Sequence, residues 1–332
     1  MIEAEIGIEK GARMSAIASA FDNGGLNNLD RVDAEHYAQR GYVVIQNVIP
    51  KSQIRDLLVQ YKQHIAASKY PFFRQNSNAY EANKISAHGF VRQSFLDIHD
   101  YQEFSQFSHT ARDIYCSDSI MSALRSITGF GSFALMQTML FDLNTETPGH
   151  QDWYYLDTVP NGNLIAAWIA LEDIDERAGR FFVLPGSQNQ DFGARAPGRT
   201  HEEWLAVIHA HIEANREQVS APALQAGDVL FWNSRTVHGS LPTQDESYSR
   251  KSLTAHYLPG GFEFGNLFSV KTNPPYKDHG GIRFYRNQPD FSQWNRLKFA
   301  IKTRAYNHPL VRESLRAARD LVSRRRRVRR DG

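Results

Sequence analysis

TPGHQDWYYLD, residues 147–157, places His150 and Asp152 two positions apart in an aromatic stretch. On a strand, side chains at this spacing point the same way; on a helix they diverge by roughly 200°. Thr147-Pro148-Gly149 ahead of the pair and Trp153-Tyr154-Tyr155-Leu156 behind it argue against a helix. The imidazole and the carboxylate therefore either converge on one metal ion or are two ordinary polar residues of a strand. His209-Ala-His211 has the same spacing, but it lies in the helix-patterned HEEWLAVIHAHIEANREQV (201–219). Its rings should point apart, and it is not read as a chelate.

Working outward, the texture is that of short apolar runs bounded by Gly, Pro, Asn or Asp. They are QTMLFDL (137–143), NLIAAWIALEDI (163–174), RFFVLPGS (180–187), DVLFWN (228–233) and SLTAHYLP (252–259). Such spacing predicts an all-β sandwich or barrel. Upstream, the pattern predicts a short helix ending at Gly41, a strand over 42–48, a helix over 52–67, an irregular polar stretch over 68–100 and a helix over 103–128. An extension follows from about residue 260. The expected organisation is a loose leader (1–29), one domain with a β core (30–300), and a C-terminal helix with an Arg-rich tail (301–332).

Non-haem iron sites use two histidines and one carboxylate on one face of the metal. His238, at the turn after DVLFWN in WNSRTVHGSLPT, is the candidate third ligand. Arg250 opens the last apolar run. An arginine aimed into a barrel needs an anionic partner, and a dicarboxylic cosubstrate supplies one through a paired guanidinium–carboxylate contact. A strand-end arginine in water is the plainer alternative.

Composition narrows the classes. The 332 residues are 41% hydrophobic and 22% charged, with no apolar run long enough to span a bilayer and no convincing signal peptide. The single cysteine, Cys116, excludes an intramolecular disulfide and a thiolate zinc cluster, and a cytoplasmic setting is expected. Nine arginines stand against three acids from Arg312 onward, which leaves a body of 29 basic and 33 acidic residues. A mildly acidic body and a tail without stacking aromatics make nucleic acid an unexpected partner. A small-molecule substrate is expected instead, and the oligomeric state is left open.

HQDWYYLD, AAWIALEDIDERAGRFFVLPGSQ, AGDVLFWNSRTVHGSLP and YSRKSLTAHYLP, with the entry segment HYAQRGYVVIQNVIPKSQI, together resemble the phytanoyl-CoA dioxygenase family of iron(II)- and 2-oxoglutarate-dependent oxygenases. The resemblance runs from about residue 33 to 259. It implies a double-stranded β-helix, a jelly-roll barrel with flanking helices. It implies Fe(II) held by His150, Asp152 and His238, with 2-oxoglutarate as cosubstrate and O2 as oxidant. Arg250 would pair with the far carboxylate of 2-oxoglutarate, and Ser240 would add a hydrogen bond. Trp168 would pack near the cosubstrate or serve as plain core, and Gln137 is a weaker polar contact. Where the family often has small residues, this chain has Gly179-Arg180-Phe181-Phe182, so Arg180 flanks the mouth or is solvated. Lys84, Arg92, Tyr155, Arg180 and Arg195 are candidate substrate contacts, with Arg199 beside them.

The implied reaction is hydroxylation, or another oxidation, of an unactivated C–H bond, with succinate and CO2 as co-products. Two other readings are a non-catalytic metal-binding jelly roll and a cupin-like metalloenzyme that does not use 2-oxoglutarate. Succinate release separates the first, and the consequence of losing Arg250 separates the second.

Overall fold

The computed structural model describes residues 28–77, 79–194, 196–265, 270–271, 274–286, 297, 308, 310–311 and 313–314. Arg195, the Arg-rich tail and most of the expected leader lie outside the described residues.

In chain order the elements are α1 (Asn28–Arg40), β1 (Tyr42–Ile45), α2 (Lys51–Gln60), β2 (Phe72–Arg74), β3 (Ala79–Glu81), β4 (Phe95–Leu96), α3 (Ser105–Tyr115), α4 (Asp118–Thr128), β5 (Phe133–Phe141), β6 (Asp157–Val159) and β7 (Ile165–Ala170). Then follow β8 (Phe181–Val183), α5 (His201–Ala214), β9 (Val229–Asn233), β10 (His238–Ser240), β11 (Ser252–Pro259), β12 (Glu263–Gly265), β13 (Val270–Lys271), β14 (Tyr276–His279) and β15 (Ile282–Tyr285). The main sheet runs β1-β9-β7-β11-β5-β15-β14, with β4 on β5; β8 and β10 form a second layer, and β6, β12 and β13 a third small sheet. The architecture is a double-stranded β-helix with flanking helices.

The IAAWIA run of β7 shows why its sequence lacks polar alternation. Ile165, Ala167 and Ile169 pack toward the helices with Leu57, Phe107, Ile114 and Leu124. Ala166, Trp168 and Ala170 pack on the other face with Phe181, Val183, Leu230 and Trp232. Both faces are covered, so both must be apolar.

Several expectations change. The region 103–128 is two helices, because Ser117 caps α4 by accepting a hydrogen bond from Ile120 N. The strand expected over 42–48 ends at Ile45, and Asn47 adopts a positive φ of 54°. The stretch 68–100, expected to be irregular, contributes β2, β3 and β4. The extension after 260 is built into the barrel: β15 pairs with β5 in parallel. Residue 150 forms a single bridge, and Asp152 begins a 3-10 turn (Asp152–Tyr154) rather than continuing a strand.

Candidate metal and cosubstrate site

Two histidines 88 positions apart meet because the backbone pairs them. His150 N donates to His238 O, and His238 N donates to His150 O, each at 3.0 Å. Small residues permit the approach: a Cβ on Gly239 would lie 2.9 Å from the Phe182 ring and 3.0 Å from Thr147 O. The two rings are 4.4 Å apart. His150 Nδ1 is 2.8 Å from Pro148 O, and His238 Nδ1 is 2.9 Å from Thr236 O. A carbonyl only accepts, so each Nδ1 carries the proton and each Nε2 presents a lone pair.

Asp152 completes the set. Its Oδ1 lies 3.6 Å from His150 Nε2 and 3.4 Å from His238 Nε2. One ligating atom from each of the three residues falls within 4.8 Å of the others. Burial alone would raise the Asp152 pKa. Imidazoles at His238 and His256, in their protonated form, outweigh it and hold the carboxyl of the metal-free chain well below its usual range. Its outer oxygen, Oδ2, accepts from Trp232 Nε1 at 2.9 Å and from His256 Nε2 at 3.2 Å. Trp232 and His256 were not singled out in the sequence. Even spacing from Arg250 into β11, 250-252-254-256, was the available signal for His256.

Arg250 is 2% exposed. Its Nη1 donates to Gly179 O at 3.0 Å and to Ser240 Oγ at 2.8 Å. Its Nε is buried without a partner, and no carboxylate pairs with it among the described residues. Burial pulls the guanidinium pKa below its usual value. A buried cation without a counter-charge is costly unless an anion joins it. The Phe141 and Trp168 rings lie 5.8 and 5.9 Å from its guanidinium carbon.

Register places the next candidates. Trp168 is opposite Thr254, and Gln137 is opposite His256, so both stand on the sheet face that carries Arg250 and His256. Tyr155 stands at the edge of the site, its ring 5.7 Å from that of His150 and its OH 2.7 Å from His201 Nε2. Behind it, Tyr154 stacks on Trp204 of α5 at 4.3 Å, so the helical insert packs against the ligand segment.

The remaining substrate candidates are engaged elsewhere. Lys84 pairs with Glu81 at 2.6 Å. Arg92 makes a two-pronged pair with Glu246 at 2.8 and 2.7 Å. Arg180 Nε contacts Ile174 O at 3.4 Å, and Arg199 donates to Phe192 O at 2.8 Å. Of the His209–His211 pair, His209 is exposed while His211 packs on Phe192 at 5.1 Å.

A second cluster, His109, Asp113 and His279, also brings potential ligands together. Arg112 Nε donates to His279 Nδ1 at 3.4 Å, which puts the ring proton on Nε2, 2.8 Å from Asp113 Oδ1. That tautomer, with a guanidinium alongside, makes it a hydrogen-bonded network tying α3 to β14.

The geometry agrees with the comparisons. A family model described as phytanoyl-CoA dioxygenase (PhyH) matches residues 37–252. The human peroxisomal phytanoyl-CoA dioxygenase is 23% identical over 245 residues, spanning 70% of this chain and 69% of the relative. A Danio rerio phytanoyl-CoA dioxygenase domain-containing protein 1 is 29% identical over 116 residues, 34% of this chain and 39% of that one. Among solved structures, the non-heme alpha ketoglutarate dependent carbocyclase SnoK from nogalamycin biosynthesis aligns with a TM-score of 0.53 at 18% identity, covering 71% of this chain and 87% of that one. EctD from S. alaskensis, with 2-oxoglutarate and 5-hydroxyectoine, aligns with a TM-score of 0.52 at 17% identity, covering 75% and 82%. No helix among the described residues is long and apolar enough to cross a membrane.

Proposed function

The chain belongs to the phytanoyl-CoA dioxygenase family and is a 2-oxoglutarate-dependent dioxygenase, and on that premise we propose that it hydroxylates an unactivated C–H bond of a small-molecule metabolite, with succinate and CO2 as co-products. Iron(II) and 2-oxoglutarate fit the residues present. Two Nε2 lone pairs and Asp152 Oδ1 face one another, and a buried guanidinium stands without an anion. Iron(II) held there would activate O2, with 2-oxoglutarate as the electron donor that becomes succinate and CO2; one oxygen atom of O2 goes to succinate and the other to the C–H bond.

His150, Asp152 and His238 hold the ion. The carbonyls of Pro148 and Thr236 fix the ring orientation of both histidines. Arg250 and Ser240 take the far carboxylate of 2-oxoglutarate, and Ser240 is already held by Arg250 Nη1. Trp168 walls the cosubstrate, and Gln137 offers a polar contact on the same face. Tyr155 borders the substrate side, beside His150. The cytoplasmic setting belongs to the same proposal; Cys116, its thiol pushed up to about 12 by burial, has little thiolate at neutral pH.

The observation that carries the reading is Arg250: a metal-binding module without cosubstrate has no use for a buried, unpaired guanidinium beside three metal ligands. The test is anaerobic titration with iron(II) and 2-oxoglutarate, followed by a substrate screen scored on succinate. A visible charge-transfer band that needs both components is expected. Iron binding with no band on adding 2-oxoglutarate overturns the cosubstrate assignment.

A further inference from the structure

Asp152 has two oxygens, and the structure treats them differently. Oδ1 faces both metal-ligating imidazoles, whereas Oδ2 is claimed by two N–H donors, Trp232 Nε1 at 2.9 Å and His256 Nε2 at 3.2 Å. We infer that Trp232 and His256 are positioning residues that restrict Asp152 to a one-oxygen ligand, and that Ala166 is the gap through which they reach it. The inference rests on the proposed iron site and concerns how this chain sets it.

The argument begins with register. Trp232 on β9 and His256 on β11 are both direct neighbours of Ala166 on the intervening β7. The three residues form one row across three strands, with side chains on the same face. The outer two are roughly 10 Å apart at the backbone, two strand spacings. The middle residue is a methyl group, so the row has a notch. The Asp152 carboxylate, carried on the 3-10 turn after the His150–His238 bridge, meets a donor from each side of this notch. A larger residue at 166 would fill it.

Both arms are rigid. Trp232 is 2% exposed and its ring packs on Phe181 at 5.0 Å and His238 at 4.9 Å. His256 is 5% exposed, and its Nδ1 is buried without a partner. The bond to a carboxylate oxygen therefore fixes the proton on Nε2, the atom that faces Asp152. Two donors on one oxygen oppose its rotation toward a metal, because leaving would strand both in an apolar site. A carboxylate that swings onto iron through both oxygens occupies a position that the chelating cosubstrate needs. The clamp thus protects 2-oxoglutarate binding from a residue that does not touch 2-oxoglutarate.

The experiment uses the full chain and two metals. Cobalt(II) binding is followed by its ligand-field absorption without cosubstrate, and iron(II) with 2-oxoglutarate by the charge-transfer band. His256→Leu and Trp232→Phe are each expected to weaken metal affinity about 10- to 100-fold, the usual effect of losing an outer partner of a ligand. They should also alter the cobalt spectrum and weaken 2-oxoglutarate binding although Arg250 and Ser240 are untouched. His256→Gln, whose amide nitrogen reaches the Nε2 position, should restore most of the affinity and the wild-type spectrum. Ala166→Val should reproduce the loss while both donors are still present. Thermal unfolding of the metal-free chain identifies any variant that fails to fold.

Folded Leu and Phe variants with wild-type affinities and spectra would overturn the clamp. So would a His256→Gln variant no better than His256→Leu. A wild type that binds cobalt but gives no charge-transfer band would sink the cosubstrate reading alone, with the clamp still judged by the cobalt affinities. A wild type that binds neither metal would sink both.

Discussion

Asp152 and Asp157 lie five residues apart in the same eleven-residue stretch, and both are buried, at 5% and 0% exposure. Their carboxyls are driven in opposite directions. Asp152 stands among imidazoles and is held well below its usual pKa. For Asp157, burial raises the pKa to about 6 against backbone hydrogen bonds from Thr158, Gly162 and Leu164. Those bonds are 2.7, 2.7 and 3.2 Å long and staple the loop that leads into β7. The same residue type, equally hidden, is placed to hold a metal ion where ring nitrogens are aimed with it at one point. It becomes a structural staple where its partners are amides of its own loop.

The sharpest way to break this contrast is to remove each carboxylate. Asp152→Ala should lower iron(II) affinity by more than about 100-fold, since it deletes a ligand outright, and abolish succinate formation in a folded chain. Asp157→Ala should leave iron binding per folded molecule close to wild type. Metal-binding titration on both variants checks the pair, and equal losses of affinity would show that the two aspartates do not divide the labour as argued.

The cationic end of the site offers the next largest effect. Arg250→Ala should raise the 2-oxoglutarate KM by about 30-fold or more, as truncating one partner of a buried charge pair costs about 2–5 kcal/mol, with iron affinity little changed. It should leave unchanged or raise the unfolding temperature of the metal-free chain, because it removes a buried cation that lacks its anion. Succinate assays over a 2-oxoglutarate range and calorimetry without ligands measure the two halves. A large loss of apo stability would mean the guanidinium is anchored for the fold rather than held for an anion.

What was legible in the sequence follows the same physics. His150, Asp152, His238 and Arg250 carry chemistry that a barrel interior accepts only for a reason, so residue type and spacing expose them. The row Trp232–Ala166–His256 was not legible, because it exists only through strand register, which brings β9, β7 and β11 together from distant segments. Lys84 and Arg92 are candidate substrate contacts by charge; that they also pair with Glu81 and Glu246 depends on folding that charge alone does not encode. The parallel pairing of β15 with β5 joins segments about 150 positions apart, beyond any local pattern. The break between α3 and α4 was more accessible, since Ser117 followed by Asp118 is a helix-start signal lying inside the apolar periodicity that concealed it.

A smaller effect tests the staple itself. Asp157→Ala leaves three buried N–H groups without their acceptor, each worth about 1–3 kcal/mol, so a loss on the order of 3–5 kcal/mol in chemical denaturation is expected. The finest test is the pH dependence. A carboxyl whose folded pKa is raised from 3.8 to about 6 contributes stability that is fully present below about pH 4 and is lost as the pH rises through about 6. At 1.36 kcal/mol per pKa unit, that loss is on the order of 2–3 kcal/mol. Asp157→Asn is neutral throughout, so its metal-free stability should fall less than wild type between pH 4 and pH 7. Asp152 works in the opposite sense: its lowered pKa adds stability above the ordinary carboxyl range that is lost on acidification. Asp152→Asn should therefore shift the difference from wild type the other way. Parallel pH profiles for wild type and Asp157→Asn would mean that the three amides, and not the low-polarity surroundings, govern the charge on Asp157.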